Sequence, residues 1–230
     1  MPANALVATF SSYNQAIWPV QLALLALAIA LLVAAGRGGE GSGRIVYAGL
    51  AVLWAWCGAV FFLAFFTRVW AGAWVAGGAF VVQAALFLRA ALARQDSVMA
   101  WRADGHGIVG GTLLAYALLF YPLLASALGQ HYPAQPTFGA PCPITIFTFG
   151  MLLLVAGRVP GHILVVPFVW ALFGIGAVLR FGVLEDIGLI AAGLAALPLI
   201  LARNRHVGAL PPMPGVGETP APMQGTGRLQ

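Results

Sequence analysis

Long apolar runs, broken by short stretches rich in Gly, Arg or Pro, take up most of the chain. Seven runs stand out, at 17–35, 45–66, 69–88, 107–128, 142–157, 163–179 and 183–202. Each approaches the roughly 20 residues that carry a helix across the hydrocarbon core. None alternates polar and apolar residues as a barrel strand with a wet lumen must. The pattern predicts an all-α polytopic transmembrane bundle of about seven spans, with 1–16 as an outer N-terminal segment. The Pro/Gly-rich stretch 207–230 reads as a disordered cytoplasmic tail.

Charge gives this pattern a direction. All basic residues are Arg, and most sit beside span ends. With the N-terminus outside, Arg37, Arg44, Arg89, Arg94, Arg102, Arg158, Arg203, Arg205 and Arg228 lie inside, against Arg68 and Arg180 outside. That is the asymmetry of the positive-inside rule. Making the fifth run re-entrant leaves six spans and moves Arg158, Arg203, Arg205 and Arg228 outside and Arg180 inside, and the asymmetry vanishes. Seven spans fit better. The first run is expected to be kept rather than cleaved, since no Arg or Lys precedes it as in a signal peptide.

Composition agrees with a lipid environment. Of 230 residues, 61% are hydrophobic and 7% charged, with a mean hydropathy of +0.94; a soluble surface needs about 25% charged residues. The net charge of +5 and the pI near 9.9 belong to loop arginines beside spans, and give no basic face for nucleic acid. Gly105-His106-Gly107-Ile108-Val109-Gly110 matches a dinucleotide fingerprint in letters only. It opens a span instead of joining a strand to a helix, so its glycines are read as packing surfaces. Gly72, Gly77, Gly78, Gly174, Gly176, Gly188 and Gly193 receive the same reading. The four histidines, His106, His131, His162 and His206, fall at or beyond span ends, which leaves no axial pair for a buried haem. No cofactor is expected. Polar groups at depth are Cys57, Gln83, Thr112, Tyr116, Thr145 and Thr148, and each is expected to satisfy itself with one interhelical or back-bonded hydrogen bond.

Candidate chemistry gathers on the outer side. Arg180, Glu185 and Asp186 flank the turn between the last two spans, where the acidic pair would open a helix and pair with Arg180. In Pro141-Cys142-Pro143, Pro143 suits the first helical position and puts Cys142 at the cap. A helix N-terminus there favours thiolate and a soft-metal ligand; a rigid turn with an incidental small residue is the preferred reading of the motif. Tyr13, Asn14 and Gln15 precede the first span and Thr145 follows Cys142. Together these residues form a candidate outer vestibule.

Three stretches carry a resemblance: Tyr13-Asn14-Gln15-Ala16-Ile17-Trp18-Pro19, Phe138-Gly139-Ala140-Pro141-Cys142-Pro143-Ile144-Thr145-Ile146-Phe147-Thr148, and Gly182-Val183-Leu184-Glu185-Asp186. The chain resembles an uncharacterised bacterial membrane family, domain of unknown function 6064. The resemblance implies a multi-spanning bundle and no established activity. On the residues, the leading expectation is a permease or facilitator in the inner membrane for a small solute or soft metal ion. The alternative is a non-transporting subunit or assembly factor, with a homo-oligomer or another membrane protein as partner. A membrane enzyme using the outer thiol ranks last, because His131 is the only histidine on that side.

Overall fold

Apolar runs leave the backbone no water to bond, so each closes its hydrogen bonds within a helix. The computed structural model describes residues 3–93 and 97–209. Helix α1 (Ala3–Ile17) leads into α2 (Val20–Arg37). Helix α3 (Ser42–Trp56) continues through a π-helical stretch, Cys57–Phe65, and a 3-10 turn, Phe66–Arg68. After α4 (Ala73–Leu92), one rod is built from α5 (Gly105–Ala115), a π-helical turn Tyr116–Phe120, and α6 (Tyr121–Ala127). Then come α7 (Pro141–Leu153), α8 (Val165–Phe181) behind a 3-10 turn, and α9 (Ile187–Ala209) behind another. Among the described residues six rods are long and apolar enough to cross a membrane: Val20–Arg37, Ser42–Arg68, Ala73–Leu92, Gly105–Ala127, Gly161–Phe181 and Leu184–Val207.

Two departures from the sequence pattern matter. Where 1–16 was expected only as an outer segment, α1 is a helix with a buried stripe. Thr9, Tyr13 and Ile17, four residues apart, all face inward. The fifth run makes a helix of only 13 residues, α7, about 20 Å long at 1.5 Å per residue. Every residue from Pro143 to Val155 is buried. α7 is a central post, whereas α2 lies at the margin with much of its surface exposed. The end of the tail, from residue 210, lies outside the described residues, as do Arg94 and Asp96.

The last carbonyls of a helix lack intrahelical donors, and α7 ends in the core where no water can supply them. Arg203 of α9, itself buried, donates from Nη1 to the Leu153 carbonyl at 2.9 Å and from Nη2 to Leu152 at 3.1 Å. The chain then runs extended, with Ala100 N–H donating to the Leu154 carbonyl and Ala156 N–H to Val98, both at 2.8 Å. These contacts gather one end of the bundle. Met99 N–H reaches Ser42 Oγ at 2.9 Å, Arg89 meets His162 at 2.9 Å, and Asn204 exchanges two hydrogen bonds with the Val159 backbone. All the described arginines except Arg68 and Arg180 belong to this Arg-rich end. Asp104 caps α5 there, accepting from Gly107 N–H at 3.0 Å.

Close helix approach explains several glycines. A Cβ on Gly110 would stand 3.1 Å from the Gly150 carbonyl, and one on Gly150 would stand 3.0 Å from the Gly110 carbonyl. α5 and α7 therefore cross backbone to backbone. Gly77, Gly188 and Gly193 also meet neighbours too near for a side chain, whereas Gly78 and Gly176 face open space, so for those two the packing reading does not hold. α3 and α4 join through aromatic rings, with Trp54 stacked on Phe80 at 4.3 Å. The polar groups at depth each make a hydrogen bond as expected, although Gln83 Oε1 is buried with no partner among the described residues. Thr112 bonds back to Ile108, Thr145 to Pro141 and Thr148 to Ile144; Gln83 donates to the Ile163 carbonyl and Cys57 to Gly139.

Candidate functional site

The expected vestibule residues all lie toward the Arg-poor end, but they divide into separate groups. Tyr13 and Asn14 are structural. Tyr13 OH donates to the Gly139 carbonyl at 2.7 Å and accepts from Trp56 Nε1 at 2.8 Å. Asn14 uses its whole amide. Nδ2 donates to the Pro133 and Gln135 carbonyls, and Oδ1 accepts from Gln21 and Thr137. Both side chains are fully buried, and together they fasten α1 to the 133–139 segment. Gln15 is exposed, away from this network. Thr145, bonded to its own helix, turns no hydroxyl toward a ligand.

The second group centres on Asp186. The 3-10 turn Leu184–Asp186 buries both carboxylates completely or nearly so. Tyr121 OH donates to Asp186 Oδ1 at 2.6 Å and Cys142 Sγ donates to Oδ2 at 3.3 Å. Cys142 thus sets its sulfur against a carboxylate rather than at the helix cap. The helix start differs as well: Ala140 is the cap and Pro141, not Pro143, takes the first turn's opening position. Glu185 accepts from Gln130 at 3.4 Å through Oε2, and its backbone carbonyl accepts from Tyr116 at 2.8 Å. Its other oxygen, Oε1, has no partner among the described residues. Arg180 is exposed and makes no ion pair with either carboxylate; the expected pairing is replaced by Tyr121, Cys142 and Gln130.

Asp186, Tyr121 and Cys142 form part of the wall of a cavity of about 370 Å³. The rest of the wall is largely aromatic. Phe61 and Phe62 come from the π-helical stretch, Trp70 from the turn before α4, and Trp170 and Phe173 from α8; Phe10 of α1 closes one side. Phe62 and Trp170 meet edge to face at 5.2 Å, and the buried indole Nε1 of Trp170 has no partner among the described residues. Exposed Arg180 stands at the edge. A mostly apolar concavity with a few convergent polar groups is the common form of a small-molecule site. Among the described residues no three His, Cys, Asp or Glu side chains come together as metal ligands would. Cys142 has a carboxylate as its neighbour, not the histidine that would activate a thiol nucleophile.

A family model described as a family of unknown function, DUF6064, matches residues 3–209. The chain belongs to this family. No curated protein and no solved structure matches it. In this DUF6064 member, sequence reasoning found Cys142 and Asp186 but missed Tyr121, Gln130 and Trp170. Tyr121 and Trp170 did carry a signal, since a Tyr or Trp inside an apolar run brings a polar atom that must find a use. The aromatic wall had none, because Phe in a span reads as lipid-facing or core.

Proposed function

We propose that this DUF6064 protein crosses the cytoplasmic membrane seven times and serves as a carrier or facilitator for a small organic solute. In this reading the N-terminus and the cavity face outward and the Arg-rich end faces the cytoplasm. The Arg distribution supports the direction. The path of 141–160, from the cavity to the Arg-rich end, supports a seventh crossing made by a short helix and extended backbone. Non-helical backbone at membrane depth is tolerated where protein encloses it, as it does here.

The cavity itself carries the proposal. It is roomy enough for a solute, polar at one place on its wall, and bordered by irregular helix: the π-helical stretch after α3 and the opening of α7. Interrupted helices beside a binding site are common in carriers. Two measurements test the reading. In a Cys57→Ser chain, Cys142 is the remaining thiol. A membrane-impermeant maleimide should modify it in intact cells and not from the inner face of inverted vesicles; the reverse overturns the orientation. Purified protein in proteoliposomes should take up members of a panel of amines, amino acids, organic acids and sugars faster than protein-free vesicles do. Gly176→Leu should abolish that uptake, because Gly176 lines the cavity and a side chain there meets no other atom. No uptake across the panel, with another membrane protein co-purifying in mild detergent, turns the reading to a subunit of a larger complex.

A further inference from the structure

We infer that the cavity selects a small organic cation, an ammonium or related group bearing an apolar or aromatic body. The inference rests on the cavity being a binding site and names the class of solute it takes. Its first support is a buried pair of carboxyl groups that no cation faces. Glu185 and Asp186 are adjacent and at most 1% exposed, yet among the described residues neither has an Arg or His within ion-pair distance. Buried charge is ordinarily paired, and here the fold supplies hydrogen-bond donors but no cation. Tyr121 and Cys142 take one site on each Asp186 oxygen. A carboxylate offers about four lone-pair sites, so one face of Asp186 is left for a cation arriving in the cavity.

The second support is the wall. The faces of Phe and Trp rings carry negative electrostatic potential and attract a cation lying within about 6 Å of the ring centre. Phe61, Phe62, Phe66, Trp70, Trp170 and Phe173 all border the cavity. Such a surface accepts an apolar body, and its ring faces favour positive charge over negative. Arg180, the one cationic side chain on the lining, is exposed at the edge. It makes no ion pair with Asp186. The other arginine at this end, Arg68, lies over the Phe65 ring at 5.4 Å.

The test compares three probes that share a phenyl ring, on the purified full-length protein by calorimetry. They are benzyltrimethylammonium, its uncharged isostere 2,2-dimethylpropylbenzene, and anionic benzenesulfonate. The ammonium should bind at least about tenfold more tightly than the isostere, which corresponds to about 1.4 kcal/mol, and benzenesulfonate should not bind. Asp186→Asn should bring the ammonium down to the level of the isostere. Gly176→Leu should remove binding of both. Equal affinity for ammonium and isostere, or preference for the sulfonate, overturns the charge selection while leaving a working cavity. Should none of the three bind, and none change Trp emission, the cavity reading beneath it fails too. The wild-type comparison alone decides the matter if Asp186→Asn does not fold.

Discussion

A guanidinium reaching two terminal carbonyls does for α7 what another turn of helix would do. Arg203→Met keeps the length of the side chain and removes both donors, leaving the buried Leu153 carbonyl without a partner and the Leu152 carbonyl with backbone N–H donors alone. A hydrogen bond from a charged group contributes about 1.5–3 kcal/mol, so the expected result is a fall of several degrees in the detergent melting temperature. Arg203→Lys should recover only part, since an ammonium lacks the planar fork. From sequence, Arg203 was legible only as a positive charge near a span end, because its partners lie fifty residues away on a helix whose early stop has no local signal. Cys142 and Asp186 were legible as chemistry but not as a pair, for the same reason of distance along the chain. Asp104 belongs to the opposite case, a local device that caps the helix following it. The Gly107 N–H and, secondarily, Arg102 hold its carboxyl below the ordinary value of 3.8. A depressed carboxyl stabilises the fold above its unfolded value, and that contribution is lost as pH falls through the folded value. The Asp104→Ala chain should therefore melt below wild type at neutral pH, and the gap should close as acid protonates Asp104. Asp104→Asn, which still caps, should show a smaller gap at neutral pH.

Helix crossings turn on which glycines touch. Gly110→Leu forces α5 off α7 at a contact made by backbone on both sides, and overpacking of that kind costs about 1–3 kcal/mol or more. The expected outcome is loss of the monodisperse peak in size-exclusion chromatography. Gly78→Leu, facing open space on α4, should elute as wild type. Equal behaviour of the two chains would show that the α5–α7 crossing is not the tight contact described. Element boundaries were legible where Gly, Pro or Arg interrupts an apolar run. They failed where an amphipathic stripe is short, as in α1. They failed again where an apolar run is not helical to its end, as after Leu153. Periodicity reports a face, not how much of a run the packing will keep as helix.

At the scale of the whole chain, the all-α architecture and the grouping of arginines at one end follow from the order of runs and loops. The cavity does not, because it is a space between α1, the π-helical stretch and α8, and a space has no letters in a sequence. The enclosure of α7 has a further consequence for how the chain is made. Segments that insert one by one into a bilayer must be stable there before their neighbours arrive, and 13 residues fall short of the roughly 20 that span it. α7's seat is built partly by α8 and α9, which emerge from the ribosome after it. Insertion of α7 is therefore expected to lag behind translation and to wait for the last two helices. In a chain ending at Gly157, a reporter fused to the C-terminus should report a mixture of orientations, and the complete chain should give a single one. A single orientation from the shortened chain would mean that α7 inserts unaided.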